Sequence, residues 1–171
     1  MRPDVTFTNL RPTRRRFLFL TAGLIGTALV TVPESATSAE QDVTVMKPAA
    51  AYVAAQKGEI ILIDIRRPDE WAETNVAEGA VGLDMRDEDF VSVLVSLRQA
   101  NPDLPIALIC RTGARTEYVT TTLAAQGFPG LVDVSEGMVG GRNGPGWLKA
   151  GLPTYEGSIS NVTARRKLLP L

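Results

Sequence analysis

Pro105-Ile106-Ala107-Leu108-Ile109 is a continuous apolar run, and Cys110-Arg111-Thr112-Gly113-Ala114-Arg115 follows it without a break. A run this short, without alternation, predicts a strand buried on both faces, as in parallel sheets. Thr112-Gly113-Ala114 then opens a helix that reaches Gln126, with Gly127 as its stop. Cys110 thus stands where a buried strand ends and a helix begins. In open parallel α/β sheets, ligands bind at that end of the strands.

The pattern repeats outward in both directions. Upstream, Asp42 to Met46 reads as a short strand, and Pro48 to Lys57 as an Ala-rich helix closed by Gly58. Ile60-Ile61-Leu62-Ile63-Asp64 is a second buried-strand run, and Pro68 to Thr74 reads as a short helix with acidic residues near its start. Asn75 to Gly79 reads as a turn and Ala80 to Leu83 as a brief strand. The spacing of Phe90, Val91, Leu94, Val95 and Leu97 predicts a helix over 87–100, ended by Asn101-Pro102-Asp103. Downstream, Leu131 to Val134 is one more apolar strand. Glu136 to Gly146, with five glycines, reads as a loop, and Trp147 to Ala150 as one helical turn. Strands alternating with helices predict an α/β domain with a mostly parallel central sheet flanked by helices.

Composition narrows the chemistry. The chain has no His and a single Cys, so a Ser-His-Asp triad, a Cys-His pair and zinc sites built on His or several Cys are all excluded. No metal site or cofactor is expected. Residues 1–39 hold five Arg against Asp4 and Glu34, which leaves the rest of the chain acidic and gives no reason to expect nucleic acid as a partner. Any chemistry at Cys110 must use backbone dipoles and Arg or Lys alone. Gly113 lets the loop turn its N–H groups inward as an anion cradle, with a helix N-terminus behind it. Arg111 and Arg115 add positive charge, and together these should favour the thiolate. A positive charge in the first turn of a helix opposes its dipole, so each arginine is expected to have an anion or a carboxylate partner.

Cys110-Arg111-Thr112-Gly113-Ala114-Arg115 resembles the active loop of the rhodanese family. Asp64-Ile65-Arg66-Arg67-Pro68-Asp69-Glu70-Trp71 is similar to that family's Asp-x-Arg…Glu-Trp segment, and Gly79-Ala80-Val81 to the Gly-Ala before its next strand. Glu136-Gly137-Met138 and Trp147-Leu148-Lys149-Ala150-Gly151-Leu152-Pro153 resemble its closing segment. The likeness spans about Val43 to Tyr155, inside a domain read as 42–156. Two segments depart from it: Asn75-Val76-Ala77-Glu78 stands where the family often has Gly-His-Ile-Pro, and Gly140 to Gly146 is longer than usual beside the expected pocket. The resemblance implies a rhodanese-like three-layer domain and a sulfurtransferase. Cys110 would be the nucleophile that carries a persulfide. Residues Arg111, Thr112, Gly113, Ala114 and Arg115 would form the substrate cradle, and Asp64 and Arg66 would support the loop. The partners would be a small anionic sulfur donor such as thiosulfate and a thiol or cyanide acceptor.

Two other classes stay open at this point. A non-catalytic binding or redox-sensing module could keep the same fold. A cysteine phosphatase or arsenate reductase shares the Cys…Arg cradle, although four residues between Cys110 and Arg115 make a smaller loop than a tetrahedral oxyanion needs. At the N-terminus, Thr13-Arg14-Arg15-Arg16-Phe17-Leu18-Phe19 sets paired arginines before an uncharged, mostly apolar run to Val32, and Ser35 to Ala39 offers small residues for cleavage. Residues 1–39 therefore read as a twin-arginine export signal and the protein as periplasmic or otherwise exported, or held at the inner membrane by 17–32 if uncleaved. Residues 157–171 read as a frayed C-terminal tail.

Overall fold

The computed structural model describes residues 43–171. The export-signal reading of residues 1–39 lies outside them. The strands are β1 (Thr44–Met46), β2 (Ile61–Asp64), β3 (Val76–Ala77), β4 (Ala80–Gly82), β5 (Ile106–Ile109), β6 (Leu131–Val134) and β7 (Thr154–Tyr155). The helices are α1 (Pro48–Gln56), α2 (Pro68–Thr74), α3 (Phe90–Ala100), α4 (Ala114–Ala125), α5 (Gly146–Lys149) and α6 (Ile159–Arg166). Five strands make one sheet in the order β1-β6-β5-β2-β4, every neighbouring pair parallel. β5, which delivers Cys110, is the middle strand.

β2, β5 and β6 are buried along their whole length, which is why their sequences read as unbroken apolar runs. Alternation along each strand sorts the core into two sides. Leu62, Ala107, Ile109, Val132 and Val134 face Ala51 and Ala54 of α1, Trp71 of α2, Trp147 of α5 and Val162 of α6. Ile61, Ile63, Ile106, Leu108 and Leu131 face Phe90, Leu94 and Leu97 of α3 and Val119 and Leu123 of α4. Cys110 belongs to the second side. The result is three layers, helices on both faces of a parallel sheet.

Two expectations fail here. The segment 75–79 is not only a turn: Val76 and Ala77 form β3 and pair antiparallel with β7, Val76 opposite Tyr155. Asn75, the residue after α2, takes φ 60 with ψ −179. The C-terminal tail is not frayed. Residues 159–166 form α6, whose Val162 packs into the core at a point where Gly82 leaves room; a Cβ at Gly82 would press on Val162 and Trp71. Arg165 pairs with Glu78 at 2.9 Å and its guanidinium lies over the Tyr155 ring, while Leu169 is buried against the α3/α4 layer. Alternation of a few apolar residues in a basic segment hid this helix, because most of its surface is polar. Val162→Ala is expected to cost roughly 2 kcal/mol through lost burial and a residual cavity. Thermal unfolding of the variant measures the cost; an unchanged midpoint would mean α6 is not docked in solution.

Candidate active site

Cys110 follows β5 directly and is fully buried, and it is the chain's one cysteine. Two features force the chain to turn around it. Gly113 has φ 93 and ψ −22, and its carbonyl accepts the Glu117 amide at 3.0 Å and the Thr116 hydroxyl at 2.9 Å, which starts α4. From the other side, Met138 N–H donates to the Cys110 carbonyl at 2.8 Å and Val139 N–H to that of Arg111 at 2.9 Å. Gly137 lies so close to the Arg111–Thr112 peptide that any side chain there would collide with it. The glycine-rich segment after β6 thus clamps the Cys loop from behind.

The sulfur has two polar neighbours. Gly113 N–H points at Sγ from 3.2 Å, and the Thr116 hydroxyl lies 3.7 Å away. Of the cradle residues 111–115, Gly113 is the one whose amide makes this contact. Thr116 comes from the first turn of α4 and was not among the residues expected from sequence, although it follows Arg115 directly. The Gly113 amide and the N-terminus of α4 both present positive dipole ends to the sulfur, an arrangement that stabilises a thiolate or a terminal persulfide anion.

Both loop arginines have the expected carboxylate partners, although only Arg115 lies in the first turn of α4. Arg115 forks onto Glu70 of α2, Nη1 to Oε2 at 2.8 Å and Nη2 to Oε1 at 2.6 Å, and Arg111 donates to Glu73 at 2.8 Å. Glu70 is buried and bound at both oxygens, so Arg115 anchors the loop to α2. Arg111 and Glu73 are solvent-facing, so water and salt screen the pair and it holds the loop only weakly. The side chains of Asp64 and Arg66 make no hydrogen bond to residues 110–115. Arg66 is fully buried, forks onto Asp64 (Nε to Oδ1 2.9 Å, Nη2 to Oδ2 2.7 Å), and donates to the carbonyls of Glu70 and Asn75 and the hydroxyl of Thr74. They fix both ends of α2, and α2 in turn fixes Arg115.

A cavity of about 420 Å³ opens beside the loop, lined by Arg67, Glu70, Met85, Arg86, Arg111 and Arg115. Sequence reading missed Arg67, Met85 and Arg86. Arg86 was legible: Asp84-Met85-Arg86 repeats the Asp-x-Arg spacing of Asp64-Ile65-Arg66, and both arginine amides bond the carboxylate two residues back at 3.0 Å. The neighbouring parallel strands β2 and β4 end in the same clip, the first buried and the second opening on the cavity. The Gly140–Gly146 loop, expected beside the pocket, contributes none of these lining residues and packs against Thr112 instead. Cys110, fully buried, is not a lining residue either. Among the described residues no three Asp, Glu or Cys side chains gather where they could hold a metal ion.

The Arg115 hydrogen bonds hold the Glu70 carboxyl down at about 2, from an ordinary value of 4.5. A depressed carboxylate stabilises the fold above its unfolded value and loses that contribution as pH falls. Between pH 4.5 and about 2 the wild type is expected to lose thermal stability more steeply than Glu70→Gln, which cannot titrate. Parallel unfolding curves for the two across that window would show that the Arg115–Glu70 bond does not clamp the loop.

Known proteins share this fold. The rhodanese-like domain profile matches residues 47–143. The polysulfide-sulfur transferase homodimer from Wolinella succinogenes is 26% identical, with a TM-score of 0.52 over 68% of this chain and 80% of that one. A Mycobacterium tuberculosis protein aligns at 20% identity and a TM-score of 0.50 over 67% of this chain and 98% of its own, a likeness of fold alone. An uncharacterized protein of Rickettsia prowazekii (strain Madrid E) is 24% identical over 98 residues, 54% of this chain and 80% of that protein.

Proposed function

This chain belongs to the rhodanese-like domain family, and from that premise we propose that it is an exported sulfurtransferase working through a persulfide on Cys110. The observation that carries the reading is the Gly113 amide 3.2 Å from a buried Sγ at the C-terminal end of the central strand. In the first half-reaction the Cys110 thiolate attacks the outer sulfur of thiosulfate. A cysteine–sulfur bond forms, the donor's sulfur–sulfur bond breaks, and sulfite leaves with the electron pair. In the second, cyanide or a thiolate attacks the outer sulfur of the persulfide, and Cys110 leaves as thiolate. No external oxidant or reductant enters. Gly113 N–H and the α4 dipole hold the negative charge in each state, Arg67, Arg86 and Arg111 offer the donor's oxyanions a place to dock, and Arg115 keeps the loop small.

Loop size favours sulfur over phosphorus. Cys110 is fully buried within a loop of only four residues before Arg115, so the group it receives must be slim. A terminal sulfur atom meets that condition, and a phosphoryl centre with three oxygens does not. Purified protein given thiosulfate and cyanide is expected to release thiocyanate while leaving aryl phosphates intact. Aryl phosphate hydrolysis through Cys110 with no thiocyanate would favour a phosphatase, and neither reaction, with mercaptopyruvate also inert, would favour a binding module.

Export rests on Arg14-Arg15 before the apolar run from Phe17. The mature chain is expected to begin at or near Glu40, and Arg14→Lys with Arg15→Lys to block export. N-terminal sequencing of exported protein that reads Met1 or Arg2 would contradict cleavage.

A further inference from the structure

Ser135 follows β6, and its carbonyl oxygen fills the place where Gly113 would carry a side chain: a Cβ built there would lie 1.8 Å from it. That contact limits how far the Gly113 peptide can move, and the Gly113 N–H is the group that points at Cys110 Sγ from 3.2 Å. Whatever holds the Ser135 carbonyl therefore bears on the sulfur. Among the described residues one donor reaches that oxygen, the side-chain amide of Asn143 at 2.9 Å. Asn143 Nδ2 also stands 3.3 Å from the Cβ place on Gly113, on the same side of the loop.

The Gly140–Gly146 loop is shaped to deliver this side chain. Gly141 N–H donates to Gly144 O at 2.9 Å and Gly144 N–H to Gly141 O at 3.3 Å, which leaves Arg142 and Asn143 at the tip of a tight hairpin. Glu136 fixes the base of that hairpin. It is buried, its Oε2 accepts the Gly146 N–H at 3.0 Å, and its carboxyl occupies the space a side chain at Gly144 would need. At the tip the two side chains part: Arg142 pairs with Glu117 in the first turn of α4, and Asn143 reaches Ser135.

We propose that Asn143 is a positioning residue for Cys110: through the Ser135 carbonyl it keeps the Gly113 amide on the sulfur anion. The contacts run from Asn143 Nδ2–H to Ser135 O, from Ser135 O to the open side of Gly113, and from Gly113 N–H to Sγ. No covalent bond changes and no proton is transferred. Without the Asn143 donor the Ser135 carbonyl turns to water, the wedge behind Gly113 loosens, and the sulfur anion loses part of its one backbone hydrogen bond.

The inference rests on the reading of Cys110 as the sulfur carrier, and it is tested without sulfur transfer. Because Cys110 is the chain's single cysteine, the ultraviolet absorbance of the thiolate reports it alone. On the rising limb of the pH titration, Asn143→Ala is expected to show about three- to tenfold less thiolate than wild type at the same pH, the effect of one lost hydrogen bond. Asn143→Asp keeps the shape but sets an oxygen against the Ser135 oxygen, so its loss is expected to be at least as large. Arg142→Ala is the control for the hairpin as a whole. Both partners of its ion pair are exposed, so its thiolate is expected to stay within about twofold of wild type. Asn143 is itself exposed, and the melting temperature is expected to change little in all three variants. Wild-type thiolate in Asn143→Ala, an equal loss in Arg142→Ala, or a loss that merely follows a falling melting temperature would each overturn the assignment. If the absorbance pattern holds while thiosulfate leaves no sulfur on Cys110, Asn143 positions the thiolate and the transfer reading falls.

Discussion

Cys110→Ser is expected to lower thiosulfate-dependent thiocyanate release by at least about a thousandfold while the protein stays folded. The loss is that large because nothing else on the chain can take over. There is no other cysteine and no histidine, so a serine hydroxyl at position 110 has no base to activate it. Folding should survive, since serine is close in size and its oxygen can accept the Gly113 amide that now points at sulfur. A circular dichroism melt separates a lost nucleophile from a lost fold. Residual turnover within tenfold of wild type would mean that sulfur passes through the protein without a covalent stop at Cys110.

Gly113→Ala is expected to do comparable harm by a different route. At φ 93 a side chain costs about 1–3 kcal/mol in backbone strain alone. A Cβ there would also be driven into the Ser135 carbonyl, which belongs to the clamp after β6 and cannot retreat without moving it. Relief requires the loop to lift, and lifting it carries the Gly113 amide off the sulfur. Transfer is therefore expected to fall by a hundredfold or more, with the melting temperature reduced. Gly127→Ala is the control: its φ is 86, yet no atom stands within 4 Å of the added Cβ, so it carries the strain without the collision. Equal losses of transfer in both variants would show that backbone strain, and not the position of the Gly113 amide, sets the rate.

How much of this was legible before the fold was known follows the physics of each element. β2, β5 and β6 could be read because a strand buried on both faces must be apolar throughout, and Cys110 could be placed because the run stops at it. Carboxylate partners for Arg111 and Arg115 followed from helix electrostatics, but their identity did not: Glu70 and Glu73 lie on α2, brought across by a sheet order that local pattern does not encode. Asp64 and Arg66 were visible as a motif, but that the Arg66 hydrogen bonds run to Asp64 and to α2 was not. Arg86 repeated a spacing already in view. α6 was missed because a single buried side chain, Val162, anchors it in a largely polar segment.

The central claim is that Cys110 carries the transferred sulfur. Intact mass spectrometry of the protein before and after thiosulfate tests it most directly, since one cysteine means one place for a persulfide. A gain of one sulfur atom, lost again on adding cyanide and absent in Cys110→Ser, is the result expected. An unchanged mass under conditions where thiocyanate is nevertheless produced, or an added sulfur that persists in Cys110→Ser, would contradict the account.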